Sequence, residues 1–183
     1  MVAVLLAFVG QLILARALLS ESYGLFVIAI DLFATLFLLL DLGLPTLLAR
    51  DGPRKPSAIW SGMMRIYRFQ GIAVLIFVPI SVSITLMQSV HDTLMLIGAG
   101  VALVHIASYA PRTALRAAGD ARFESLTKVI ERIATTAGYG ILFLINSTDV
   151  VAYASVFLVG AILGLSIALV GCLLYTSDAA DDL

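Results

Sequence analysis

Residues 126–145 read Leu-Thr-Lys-Val-Ile-Glu-Arg-Ile-Ala-Thr-Thr-Ala-Gly-Tyr-Gly-Ile-Leu-Phe-Leu-Ile. Lys128, Glu131, Arg132, Thr135, Thr136 and Tyr139 fall at offsets of 0, 3, 4, 7, 8 and 11, which places them on one face of a helix. Ile130, Ile133, Ala134, Ala137 and Leu142 form the opposite face. A polar stripe entering an otherwise apolar helix from one end must line water or protein.

The surroundings of this stretch are apolar. Of the 183 residues 61% are hydrophobic and 13% charged, and the mean hydropathy is +1.08. One soluble core of this size cannot bury so much apolar surface, so lipid must cover the rest. A span of about 30 Å of hydrocarbon takes roughly 20 helical residues. Six segments qualify: Val2 to Leu19, Tyr23 to Leu44, Gly71 to Val90, Thr93 to Tyr109, Leu126 to Ile145 and Val150 to Leu174. Lipid leaves no partner for exposed backbone polar groups, so each segment is expected to be a helix. The expected fold class is all-α, a polytopic membrane protein with six transmembrane helices forming one bundle.

Sidedness follows from charge. Ten of the eleven Lys and Arg residues lie in two clusters, Arg50 to Arg68 and Arg112 to Arg132. The connectors Ser20 to Ser22, His91-Asp92 and Asn146 to Asp149 carry none. Basic loops stay on the cytoplasmic side, so both termini are expected to be cytoplasmic. Trp60 and Tyr67 suit the headgroup layer as anchors. Pro79 and Pro111 each remove one helical hydrogen bond, and Gly160 with Gly164 gives the spacing that lets helices approach closely.

The fourth span repeats the pattern of the fifth, with His105, Ser108, Arg112 and Arg116 at offsets of 0, 3, 7 and 11. Two stripes therefore open toward the same side. Arg112, Arg116, Lys128 and Arg132 are candidates to hold an anionic headgroup. Arg65 and Arg68, three residues apart, either do the same or anchor the chain at lipid phosphates. Asp31 lies about 12 Å into the second span, too deep for its short side chain to reach water. A charge at that depth costs about 3 kcal/mol on insertion scales, so Asp31 either lines a cavity, with Thr35 on the same face, or pairs with a neighbouring helix. His105 is either a proton relay or a neutral hydrogen-bonding group between helices. Glu131, Thr135 and Tyr139 complete the candidate cavity lining.

Several function classes are excluded. A formal charge of −1 with no basic patch interleaved with aromatics argues against nucleic-acid binding. Cys172 stands alone, so neither a disulfide framework nor a zinc or redox motif is present, and no metal or cofactor is expected. No phosphate-binding lysine loop, metalloprotease helix or serine-hydrolase elbow occurs, and Ser61 beside Gly62 lacks the rest of any such constellation. Catalysis is not expected. After the sixth span, residues 173–183 switch to small and acidic residues and read as translated adapter sequence, which leaves residues 1–172 as the expected bundle.

Glu21-Ser-Tyr-Gly-Leu-Phe26 opening the second span, Asp41-Leu-Gly-Leu44 closing it with Arg50 beyond, and Ala114-Leu-Arg-Ala-Ala-Gly-Asp120 after the fourth resemble the N-terminal half of bacterial polysaccharide flippases. These belong to the multidrug/oligosaccharidyl-lipid/polysaccharide exporter superfamily. The resemblance implies two six-helix lobes around a cavity open alternately to either side, of which this chain supplies one. It implies translocation of undecaprenyl-diphosphate-linked oligosaccharide across the bacterial inner membrane, for O-antigen of lipopolysaccharide, capsule or exopolysaccharide. Membrane lipids and a polysaccharide polymerase or other assembly proteins are the implied partners. Two alternatives stay open: a cation-coupled drug exporter or lipid II flippase of the same superfamily, and a non-transporting membrane scaffold.

Overall fold

The computed structural model describes residues 1–41, 43–52, 58–87 and 92–181, with the side chains of residues 37, 39–41, 92 and 175–181 left aside. Among the described residues there are seven helices and no strand. They are α1 (Val2–Ala17), α2 (Ser20–Asp41), α3 (Leu44–Asp51), α4 (Ile59–Met87), α5 (Asp92–Ala117), α6 (Ala121–Leu144) and α7 (Val150–Asp181). Among the described residues, three segments are long and apolar enough to cross a membrane: Ile59–Met87, Thr93–Ala117 and Val150–Leu174. The long helices α1, α2 and α4 to α7 overlie the six expected segments in order.

Three boundaries differ from the sequence reading, each for a local reason. Leu44 does not close the second span. Gly43 takes the left-handed conformation at φ 68° and Pro45 occupies the first turn of a new helix, α3, so the chain breaks and restarts there. The basic stretch from Arg50 to Arg68 is consequently no single loop, and Arg65 and Arg68 sit inside α4. The second basic cluster is mostly helical as well. Arg112 and Arg116 belong to α5, Arg122 and Lys128 to α6, and only residues 118–120 separate the two helices. Gly119 makes that turn at φ 96°, and Asp120 caps α6 by accepting a 3.0 Å hydrogen bond from the Phe123 N–H. At the other end of the chain α7 continues to Asp181.

Helix α5 lies at the centre, packed against α7, α2, α4 and α3, while α6 bridges α7 and α1. Two apolar cores hold this arrangement. Leu14, Phe26, Phe33, Phe77, Met95 and Tyr153 anchor one; Leu48, Met63, Ile66, Ala114 and Leu115 anchor the other. Outside them runs a belt of exposed apolar side chains, including Leu5, Phe8, Leu75, Ile76, Ile141 and Leu163. Water does not tolerate such a belt; hydrocarbon does.

Proline shapes the lower part of α5. Pro111 has no N–H, which leaves the Ala107 carbonyl without its helical donor. Tyr67 Oη donates to that carbonyl at 2.9 Å, and Cys172 Sγ donates to the Pro111 carbonyl at 3.4 Å. Tyr67 therefore ties α4 to α5, while Trp60 remains exposed. The glycine pair on α7 works as its spacing suggests. A Cβ on Gly160 would collide with Thr135, and one on Gly164 would lie 2.6 Å from Arg112 Nη2 and 2.7 Å from Glu131 Oε2.

Candidate functional site

Helix α6 turns its polar stripe inward. Glu124, Thr127, Glu131, Thr135 and Tyr139 are its buried residues, whereas Leu126, Ile133 and Ile141 are exposed. The spacing of about four residues keeps these groups in register with α5, whose own stripe faces them.

Between the two stripes and the start of α1 and α3 lies a cleft of about 560 Å³, with His105, Ser108, Arg112, Arg116, Lys128, Glu131 and Arg132 in its walls. Ala3, Val4 and Ala7 of α1 and Pro45, Thr46 and Ala49 of α3 supply the apolar side. A second cavity of about 290 Å³ continues along α6, lined by Gln11, Asp31, Arg132, Thr135, Thr136 and Tyr139 among others. Ala7 and Arg132 belong to both, so the polar face of α6 borders the two in succession.

The charges in the cleft are arranged as two acid-centred groups. In the deeper one, Arg112 Nη2 donates to Glu131 Oε2 at 2.5 Å and His105 Nε2 lies 3.5 Å from Glu131 Oε1. Glu131 is only 3% exposed, so its charge depends on those partners. Arg112 Nε is buried with no hydrogen-bond partner among the described residues. In the outer group Glu124 Oε2 accepts from Arg116 Nε at 2.7 Å, while Glu124 Oε1 accepts from both Arg116 Nη2 and Lys128 Nζ. Burial opposes ionisation of Glu124, yet the hydrogen bonds from Arg116 and Lys128 outweigh it and hold its carboxyl below the usual carboxylate range.

Arg132 is half-buried and stands over the Phe157 ring at 5.6 Å from its centroid. It makes no ion pair among the described residues. Phe157 also packs edge-on to His105 at 5.9 Å, so one α7 ring supports both groups. Tyr139 is 4% exposed and stacks among aromatics, 5.6 Å from Tyr153 and 6.5 Å from Phe26. Thr135 and Thr136 satisfy their hydroxyls on the Glu131 carbonyl and the Leu6 carbonyl.

The twelve candidate residues thus fall into separate places. Arg112, Arg116, Lys128, Arg132, His105 and Glu131 share the main cleft; Asp31, Thr135 and Tyr139 line the second cavity with Arg132. Arg65 lines a different crevice of about 320 Å³ between α3 and α4. Arg68 and Thr35 are exposed and line none of the three cavities. Glu124 was missed by the sequence reading, which began the polar face at Lys128. Its position four residues before Lys128 and seven before Glu131 is the signal that would have found it.

A bundle of long apolar helices, belted in exposed hydrocarbon-seeking side chains and holding a charged cleft inside, defines a helical membrane protein. Residues 1–175 match the family model of the polysaccharide biosynthesis proteins, and the chain belongs to that family, as its motifs had suggested. No curated protein and no solved structure matches the chain.

Proposed function

We propose that the chain forms one lobe of an inner-membrane flippase that carries undecaprenyl-diphosphate-linked oligosaccharide from the cytoplasmic to the periplasmic leaflet. The reading has six membrane crossings and a cytoplasmic N-terminus. The product serves O-antigen, capsule or exopolysaccharide synthesis beside a polymerase and other assembly proteins.

One observation carries this reading: four cations from two helices, Arg112, Arg116, Lys128 and Arg132, line a single cleft inside an apolar bundle. Moving a sugar diphosphate through hydrocarbon is opposed by the cost of stripping water from its charges and hydroxyls. A cleft that replaces water with guanidinium and ammonium donors lowers that barrier, while the polyprenyl tail stays in lipid. Thr135 and Tyr139 would meet the sugar end, and Asp31 or Glu131 would carry a coupling cation or proton. Arg65 and Arg68 hold the chain at headgroup phosphates on the same side.

The test replaces Arg116 and Arg132 together by Ala in the chromosomal gene. Surface polysaccharide is expected to fall by about tenfold or more, the cost of losing charge-assisted contacts, at unchanged protein level in the membrane. Undiminished polysaccharide in cells that retain the variant removes the headgroup role from this cleft.

A further inference from the structure

The cations of the outer group are already engaged with an acid, although both side chains stay about half exposed. The Glu124 carboxylate, buried to 5% exposure, already takes hydrogen bonds from Arg116 and Lys128. One turn further along each helix stand Arg112, with an unpartnered Nε, and Arg132, with no ion pair among the described residues. From Lys128 to Arg132, as from Arg116 to Arg112, is four residues, about 6 Å of helical rise.

We infer that Glu124 is an internal counter-anion that raises the amount of negative charge a ligand needs in order to bind in this cleft. The inference rests on the headgroup reading above and assigns that threshold to one residue. To take full hold of Arg116 and Lys128, a ligand with a single phosphate must draw them away from Glu124. It then exchanges one set of charge-assisted hydrogen bonds for another and leaves a buried carboxylate without a cation. That exchange has no net gain. A diphosphate displaces the same carboxylate but places its second phosphoryl group one turn deeper, beside Arg132, which lines the cleft and makes no ion pair among the described residues. The additional bonds tip the exchange toward binding. Glu124 contacts neither the sugar nor the lipid in this scheme. It sets the threshold of negative charge that a headgroup must exceed.

The experiment uses the chain in phosphatidylcholine nanodiscs, whose lipids carry no net charge, and measures binding of farnesyl diphosphate, farnesyl monophosphate and inorganic pyrophosphate. The unsubstituted chain is expected to prefer the farnesyl diphosphate over the monophosphate by about tenfold or more. In Glu124→Gln both bind more tightly by a similar factor, severalfold or more, while the preference is kept; Arg132→Ala, which removes the second contact, narrows it. If Glu124→Gln does not fold, Glu124→Asp is read in the same assay. It keeps the charge but withdraws the carboxylate by one methylene, and must tighten binding of both ligands too. Equal binding of the two prenyl ligands by the unsubstituted chain, or unchanged affinity for both in the Glu124 variants, overturns the role of Glu124 alone. No binding of any probe overturns the headgroup reading itself. Pyrophosphate bound as tightly as farnesyl diphosphate assigns the site to free polyphosphate and overturns the lipid-linked form of the proposal.

Discussion

Helices α4 and α6 are of similar length and bury opposite kinds of side chain. Only 22% of the most apolar window of α4 is buried inside the bundle; Leu75, Ile76 and Val78 face outward. Helix α6, too polar to rank with it as a crossing by hydropathy, faces inward with Glu124, Glu131 and Thr135 and outward with Ile133 and Ile141. Hydropathy in such a chain reports which helix meets lipid. It does not report which helix lies deeper. The two also treat polar groups differently: Glu124, Thr127, Glu131 and Thr135 on α6 all have hydrogen-bond partners, whereas Gln70 and Ser81 on the buried face of α4 have side-chain atoms with none among the described residues.

Breaking the paired side of this comparison should have the largest effect. Glu131→Leu leaves Arg112 and His105 facing an apolar group in a site where Glu131 is 3% exposed. A loss of about 3 kcal/mol is expected from stranding a buried cation. Unfolding titrations in mixed micelles check it, and a change below a few tenths of that would mean the pair is solvated. The unpaired side should respond in the opposite direction. Gln70→Met keeps the volume and removes two unsatisfied polar atoms, so stability should rise by about 1 kcal/mol. A fall in the same titration would show that Gln70 has a partner outside the protein.

The smallest effect concerns the outer group, whose cations are about half exposed. Because the Glu124 carboxyl is held below its usual range by Arg116 and Lys128, its stabilisation is present above the ordinary carboxylate range. It is lost as pH falls through the lowered value. Melting temperatures of the parent chain and Glu124→Gln should therefore differ at neutral pH and converge on acidification. Divergence at low pH would reverse the assignment. Exposed pairs are worth little, so the gap should stay within a few degrees.

The sequence made the six long helices readable because apolar runs and punctuating polar residues are local signals. The inward stripe of α6 was readable for the same reason, as its period needs no tertiary knowledge. Helix α3 was not. Its eight residues carry too weak a periodicity, and the Gly43-Leu-Pro45 restart was absorbed into the end of the second span. Glu124 was lost through a boundary error of five residues, since the helix begins at Ala121 and the expected span at Leu126. The bond from Tyr67 to α5 was not legible, because nothing local says that a proline forty-four residues later leaves a carbonyl needing a donor. Which cations share a cleft also required the fold: Arg65 and Arg116 look equivalent in sequence and lie in different cavities.

The bonds around Pro111 bear on how the charged end of the bundle can move. At that turn one rung of the α5 ladder is missing, and the Ala107 and Pro111 carbonyls accept sideways, from a tyrosine hydroxyl of α4 and a thiol of α7. Side-chain fastenings can re-aim through a torsion angle where a backbone rung must rupture. The softest axis for opening or narrowing the mouth thus passes one residue above Arg112, and any tilt there would carry Arg112 and Arg116 together as a single lever arm.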